Sequence, residues 1–281
     1  MGRPLKNKEE IVVVPVVNKE ETEHTSIARV ETSALQEISK AEIDVSIATA
    51  KKYPRSIAKF RQTAISMATL DPQVAASCFY KVRRGDGFIE GPSVRLAEIA
   101  ASAWGNIRIA ARIIEEGEKY VTAQGIAHDL ERNFSGSSEV RRRIVDKMGR
   151  RYSDDMVLMT MAAACAIARR NAILEVVPRA YITNILDKAK KVAVGSAKTL
   201  VERRNEMIEA FSKMGIDKDK ILIFTEKKSI EDIDLTDIEN LIGVFTAIKD
   251  GTTTIDEQFP HKKAGVAMPQ AKKDREVGEE G

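Results

Sequence analysis

The chain has 281 residues, 43% of them hydrophobic and 31% charged, which suits one full domain plus a small second one with polar ends. Two cysteines, Cys78 and Cys165, exclude a disulfide framework or a cysteine-ligated cluster and fit buried thiols in a reducing compartment. No apolar run approaches the roughly 18 residues of a membrane span and the N-terminus lacks a signal-peptide core, so a cytoplasmic protein with no membrane partner is expected.

The net charge of +3 hides an uneven distribution. Residues 1–51 hold 7 Lys+Arg against 9 Asp+Glu, residues 52–200 hold 25 against 15, and residues 201–281 hold 13 against 18. A basic middle between acidic ends points to a polyanion partner for the middle alone.

In chain order, residues 1–52 are rich in Lys, Glu and Thr and read as largely disordered, with a helix over Ser33 to Lys51. After Tyr53-Pro54-Arg55, Ser56 caps a helix to Leu70 whose apolar positions Ile57, Phe60, Ala64, Met67 and Ala68 share one face. Asp71-Pro72 ends it and starts a short helix. Phe79, Tyr80 and Val82 then form a strand ending in Arg83-Arg84, and Gly85-Asp86-Gly87 turns the chain into a returning strand, Phe88-Ile89-Glu90. Ser93 is positioned to cap a helix over Val94 to Ala103. From Ile107 the period changes to two, with Ile107, Ile109 and Ala111 alternating with Arg108, Ala110 and Arg112. Tyr120 to Leu130 and Ser138 to Val145 supply two more strands, a hairpin follows at Asp146-Lys147-Met148-Gly149, and short connections imply an antiparallel meander. Ser153-Asp154-Asp155 opens the longest helix, which runs to Val177 before Pro178 and carries Arg169-Arg170 among apolar residues. Another helix spans Arg179 to Val194. The expectation is an α+β fold: a twisted antiparallel sheet, hairpin plus meander, packed against helices. A core over residues 53–195 precedes a small helical module over 196–259 and a disordered tail over 260–281.

Catalytic patterns are weak. Gly195-Ser196-Ala197-Lys198-Thr199 lacks the spacing of a phosphate loop, so no nucleotide cofactor is expected. Glu115, Glu116, Asp129, Asp154 and Asp155 could serve a metal-dependent nuclease, but the first two fit a turn and the last two a helix N-terminus. His24, His128 and His261 are too scattered for zinc. What remains is basic: Arg83, Arg84, Arg95, Arg141, Arg143, Lys147, Arg150, Arg151, Arg169 and Arg170, with Arg55, Lys59, Arg61 and Lys81 nearby in sequence. Arg142 completes a tandem triplet of which alternation must send one member to the opposite face. Aromatic residues make up only 5%, which favours holding a phosphate backbone over stacking bases.

The order of a helix, YKVRRGDGFIEGPSVRLAEIA, Trp104-Gly105-Asn106, a strand pair around Glu116 to Gly125, an arginine-rich hairpin and MAAACAIARRNAILEVVP resembles phage single-strand annealing proteins of the RecT/Red-beta kind, over residues 53 to 195. The resemblance implies an ATP-independent recombinase without covalent chemistry, working in a bacterial host cell as a ring or helical filament. It would bind single-stranded DNA, anneal complementary strands and hold the duplex product. The helices after Leu200 would meet a host single-strand-binding protein or a phage exonuclease. Arg169 and Arg170 before Pro178 match the basic position of the family's late helix. The basic residues are expected to converge on one continuous trough. The competing expectations are a metal-dependent nuclease and a general basic scaffold for nucleic acid.

Overall fold

The computed structural model describes residues 19–85, 87–195 and 199–259, in two compact units, Met1–Pro54 and Arg55–Gly281. In the first unit a single 34-residue helix, α1 (Lys19–Lys52), covers and extends the expected one. No Pro or Gly interrupts that stretch, and Lys51 and Lys52 sit at its negative end. The helix expected over Ser33 to Lys51 is present, and it begins earlier, at Lys19, in a stretch expected to be disordered. Residues 1–18 and the tail expected at 260–281 lie outside the described residues.

The second unit begins with α2 (Ile57–Ala68) and α3 (Pro72–Ala76). The side chain of Ser56 accepts the Lys59 N–H, and Asp71 accepts those of Gln73 and Val74 ahead of Pro72 at the first helical position. Then β1 (Phe79–Arg84) and β2 (Gly87–Pro92) pair antiparallel, with Gly85 at φ 59° entering the turn. Ser93 caps α4 (Val94–Trp104), and Gly105 and Asn106, both at positive φ, swing the chain into the meander. That meander is β3 (Ile107–Glu116), β4 (Tyr120–Asp129) and β5 (Phe134–Arg143), hydrogen-bonded in the order β3-β4-β5, with a bulge between Ile113 and Glu115. The hairpin and the meander form two small antiparallel sheets packed with helices, the α+β arrangement expected from the sequence.

Two long helices follow, α5 (Asp154–Val176) and α6 (Arg179–Val194), split by Pro178. The alanine-dense face of α5 lies on β4 and β5 at very short range: a Cβ added at Gly125 would sit 2.2 Å from the Ala168 carbonyl oxygen. By length and composition α5 could also cross a membrane, so the chain holds a longer apolar stretch than expected. Here its residues Val157, Ala164, Ile167, Ala168, Ala172, Ile173 and Val176 are buried in the protein.

After residue 199 come α7 (Leu200–Lys213), α8 (Lys218–Thr225), a 3-10 turn at Ile230–Asp232, α9 (Leu235–Lys249) and α10 (Ile255–Gln258). They are not a separate body. Phe211, Ile221, Phe224, Ile238, Leu241 and Val244 share one continuous core with Phe60, Phe79, Leu96, Trp104 and Ile185. The helix α9 lies against β1 so closely that a Cβ at Gly243 would fall 2.9 Å from the Lys81 backbone nitrogen. The division expected at residue 196 therefore separates no compact unit, because the apolar faces of α7 to α9 complete the core left open by α2, α3, α6 and the hairpin.

Candidate nucleic-acid interface

Strand alternation sorts the meander's side chains between two faces. On β4, Val121, Ala123, Gly125, Ala127 and Asp129 are buried on the side of α5. Among the described residues of the Arg55–Gly281 unit, no element lies over the opposite face. Register sets Arg108 beside His128 and Ser135, Arg112 beside Gln124 and Glu139, Glu115 beside Thr122 and Arg141, and Tyr120 beside Arg143. Arg108, Arg112, Arg141 and Arg143 are all exposed there. Two acids, Glu115 and Glu139, share the surface.

Local bonds hold these groups in place. The Thr122 hydroxyl donates to Glu115 over 2.9 Å, and Arg112 donates to the Gln124 side-chain oxygen over 3.2 Å. His128 Nε2 lies 3.1 Å from Asn133 Oδ1. Around Tyr120 the guanidinium carbons of Arg141 and Arg143 sit 4.6 and 5.7 Å from the ring centre, and Arg143 donates to the phenol oxygen at 3.3 Å.

The expected hairpin continues this end of the sheet. Val145 bridges Arg151, Gly149 takes φ 83°, and Asp146 accepts the Met148 and Arg150 backbone N–H groups at 2.8 and 2.9 Å. The Arg150 backbone bond above all holds the Asp146 carboxyl below its ordinary range. Arg150 itself pairs with Asp146 and Arg151 with Glu116, while Lys147 is exposed at the tip.

The other expected contacts lie elsewhere, which corrects the single continuous trough. Arg83 belongs to the separate hairpin and is engaged inside the protein: it donates to the Phe224 carbonyl at 2.9 Å, pairs with Glu226 at 2.7 Å, and lies over the Phe224 ring. Arg84 is exposed beside it, within electrostatic reach of Glu257. Arg95 and Arg169 both pair with Glu98 on the helix side of the meander, where Arg169 borders an open concavity of about 450 Å³ floored by Ile107, Ile109 and Ile173. Arg170 is 8% exposed, lies over the Tyr80 ring and donates twice to Asn171. Burial lowers its pKa and raises that of neighbouring Asp250. Arg170 is thus a packed residue in this structure, with the sheet lying between α5 and the open face. Arg142, the triplet member that alternation reverses, donates to the Gly251 and Thr252 carbonyls behind the sheet.

Arg55 is likewise structural. Its guanidinium grips both carboxylate oxygens of Asp129, which also accepts the Trp104 indole N–H at 3.1 Å, and its Nε meets Glu131. Burial alone would raise the Asp129 pKa; the bonds from Arg55 and Trp104 outweigh it and hold the group low. That occupation removes Asp129 from any metal set. Asp154 and Asp155 sit in the first turn of α5, and no cluster of three or more His, Cys, Asp or Glu suited to a metal occurs among the described residues. Sequence reasoning omitted Arg108, Arg112 and Tyr120 from the site. The period of two already placed both arginines on one face of β3, the same face that register gives to Arg141 and Arg143.

Comparison with models of known protein families, with curated proteins and with solved structures returns no match.

Proposed function

We propose that the uncovered face of β3-β4-β5, with the hairpin at Asp146 to Arg150, holds single-stranded nucleic acid by its phosphates. The observation that carries this reading is the set of four exposed arginines, Arg108, Arg112, Arg141 and Arg143, on a sheet face that no described element of the Arg55–Gly281 unit covers. Arg141 and Arg143, two residues apart on one strand, leave the backbone about 6.8 Å from each other, and Arg108 and Arg112 leave it about 13.6 Å apart along β3. A flat row of charges at these spacings suits an extended single backbone, whose bases then face solvent and can meet a complementary strand.

The activity we assign is ATP-independent annealing of complementary strands, as in the RecT/Red-beta kind of recombinase, with neutralisation of phosphate charge as the driving term and no covalent step. Of the residues first singled out, Arg141, Arg143 and Lys147 serve this surface, whereas Arg150 and Arg151 are held by Asp146 and Glu116. Arg83, Arg84, Arg95, Arg169 and Arg170 do not serve it. A ring or filament of copies, and partners such as a single-strand-binding protein or an exonuclease, belong to the same proposal. Mixing two complementary labelled oligonucleotides with the protein, without nucleotide or metal, tests it. Faster duplex formation that is lost in an Arg141→Gln/Arg143→Gln variant supports the reading. Shortened strands in the presence of magnesium would replace it with a nuclease.

A further inference from the structure

Resting on the sheet face as the strand-binding surface, we infer that Tyr120 is a base-stacking residue, so that one base of the bound strand is held while the rest point outward. Among the described residues of the open face it is the one phenolic or indole ring. The other phenolic and indole rings of the Arg55–Gly281 unit are engaged in packing: Tyr181 and Trp104 close edge-on around Phe60, Tyr152 packs beside Val121, Ile144 and Val157, and Tyr80 lies beneath the buried Arg170. Tyr120 instead stands among cations on a solvated face.

The two guanidiniums differ in their relation to the ring. Arg141 lies nearer the ring centre, at 4.6 Å, whereas Arg143 is at 5.7 Å and bonds the phenol oxygen at 3.3 Å. A planar base can stack on an aromatic ring that cations also approach, and both guanidiniums keep N–H groups for phosphate oxygens. A base on Tyr120 would therefore be flanked by two phosphate ligands whose backbone positions lie about 6.8 Å apart along β5. Because every base offers a π surface, the contact discriminates bases from no base rather than one base from another.

The test compares wild type, Tyr120→Phe and Tyr120→Leu in binding to oligo-dT and to an abasic deoxyribose-phosphate oligomer of equal length. The expected result is about a tenfold loss for Tyr120→Leu on oligo-dT, within the range measured for one stacked base, with no change on the abasic oligomer and near wild-type binding by Tyr120→Phe on both. An equal loss on both oligomers would show that the ring only orients the arginines, and would overturn the stacking role while leaving the surface in place. A wild-type protein that binds neither oligomer overturns both.

Discussion

Replacing Arg141 and Arg143 together by glutamine should change how salt affects binding more tellingly than it changes affinity at any one salt concentration. The open face offers four guanidiniums, and the hairpin adds Lys147, whereas Arg150 and Arg151 are each neutralised by a carboxylate in the free protein. Five phosphate contacts is therefore the upper bound per protomer. For single strands, about 0.7 of slope per contact gives a log–log salt slope no steeper than about −3.5, or about a 100-fold loss of affinity between 50 and 200 mM salt. The double variant should flatten the slope to about −2.1, a loss of only about 20-fold over the same range. Arg95→Gln, on the helix side of the sheet and 62% exposed, should leave the slope alone. Fluorescence anisotropy of a labelled oligonucleotide across a salt series reads all three. An unchanged slope in the double variant, or a flattened one in Arg95→Gln, would refute the placement of the site.

Other predictions concern the scaffold that presents this face. Asp129→Asn breaks the buried pair with Arg55 and should cost about 3 kcal/mol at neutral pH, the lower end of the usual range because Glu131 still faces the guanidinium. The Asp129 carboxyl has a depressed pKa when folded, so its contribution is present above its unfolded value of about 3.9 and is lost as pH falls through the lower folded value. Urea unfolding from pH 7 to pH 3 should show a shallower acid limb in Asp129→Asn than in wild type; parallel curves would contradict the pairing. Gly125→Ala should be destabilised by about 1–3 kcal/mol or more, because its new methyl meets the Ala168–Arg169 backbone and not a movable side chain. A wild-type melting temperature in that variant would mean that α5 does not lie so close to β4. Burial pushes the Cys78 thiol up to about 12, so a thiol reagent at pH 8 should leave it unlabelled until urea unfolds the protein. Prompt labelling of Cys78 in the native state would count against its place in the core.

Much of the local structure was written in short-range signals. Ser56, Ser93 and Ser153 each cap the helix that follows them, Pro178 parts α5 from α6, and the alternation from Ile107 to Arg112 marks β3 as half-buried. Alternation also sends Arg142 behind the sheet, away from Arg141 and Arg143. What the sequence could not disclose were pairings over long separations. Nothing local to Arg83-Arg84 shows that Phe224, Glu226 and Gln258, more than 140 residues on, close over that hairpin. A tandem arginine reads the same whether it meets a phosphate or a carbonyl. Arg170 looked available for the converse reason: a positive charge in an apolar helix suggests an exposed site until Tyr80 and the end of α9 are seen to bury it. The acidic character after residue 200 suggested a detachable module, but charge describes the outer surface of those helices, and their inner faces belong to the shared core.

The claim beneath all of this is that one particular side of the β3-β4-β5 sheet meets the polyanion. Modifying arginines with phenylglyoxal, with and without a saturating oligonucleotide, and locating the adducts by mass spectrometry, tests it in the unaltered protein. The account predicts protection of Arg108, Arg112, Arg141 and Arg143, with Arg84, Arg95 and Arg169 modified equally in both samples. Protection of that second group while the sheet arginines stay reactive would contradict it.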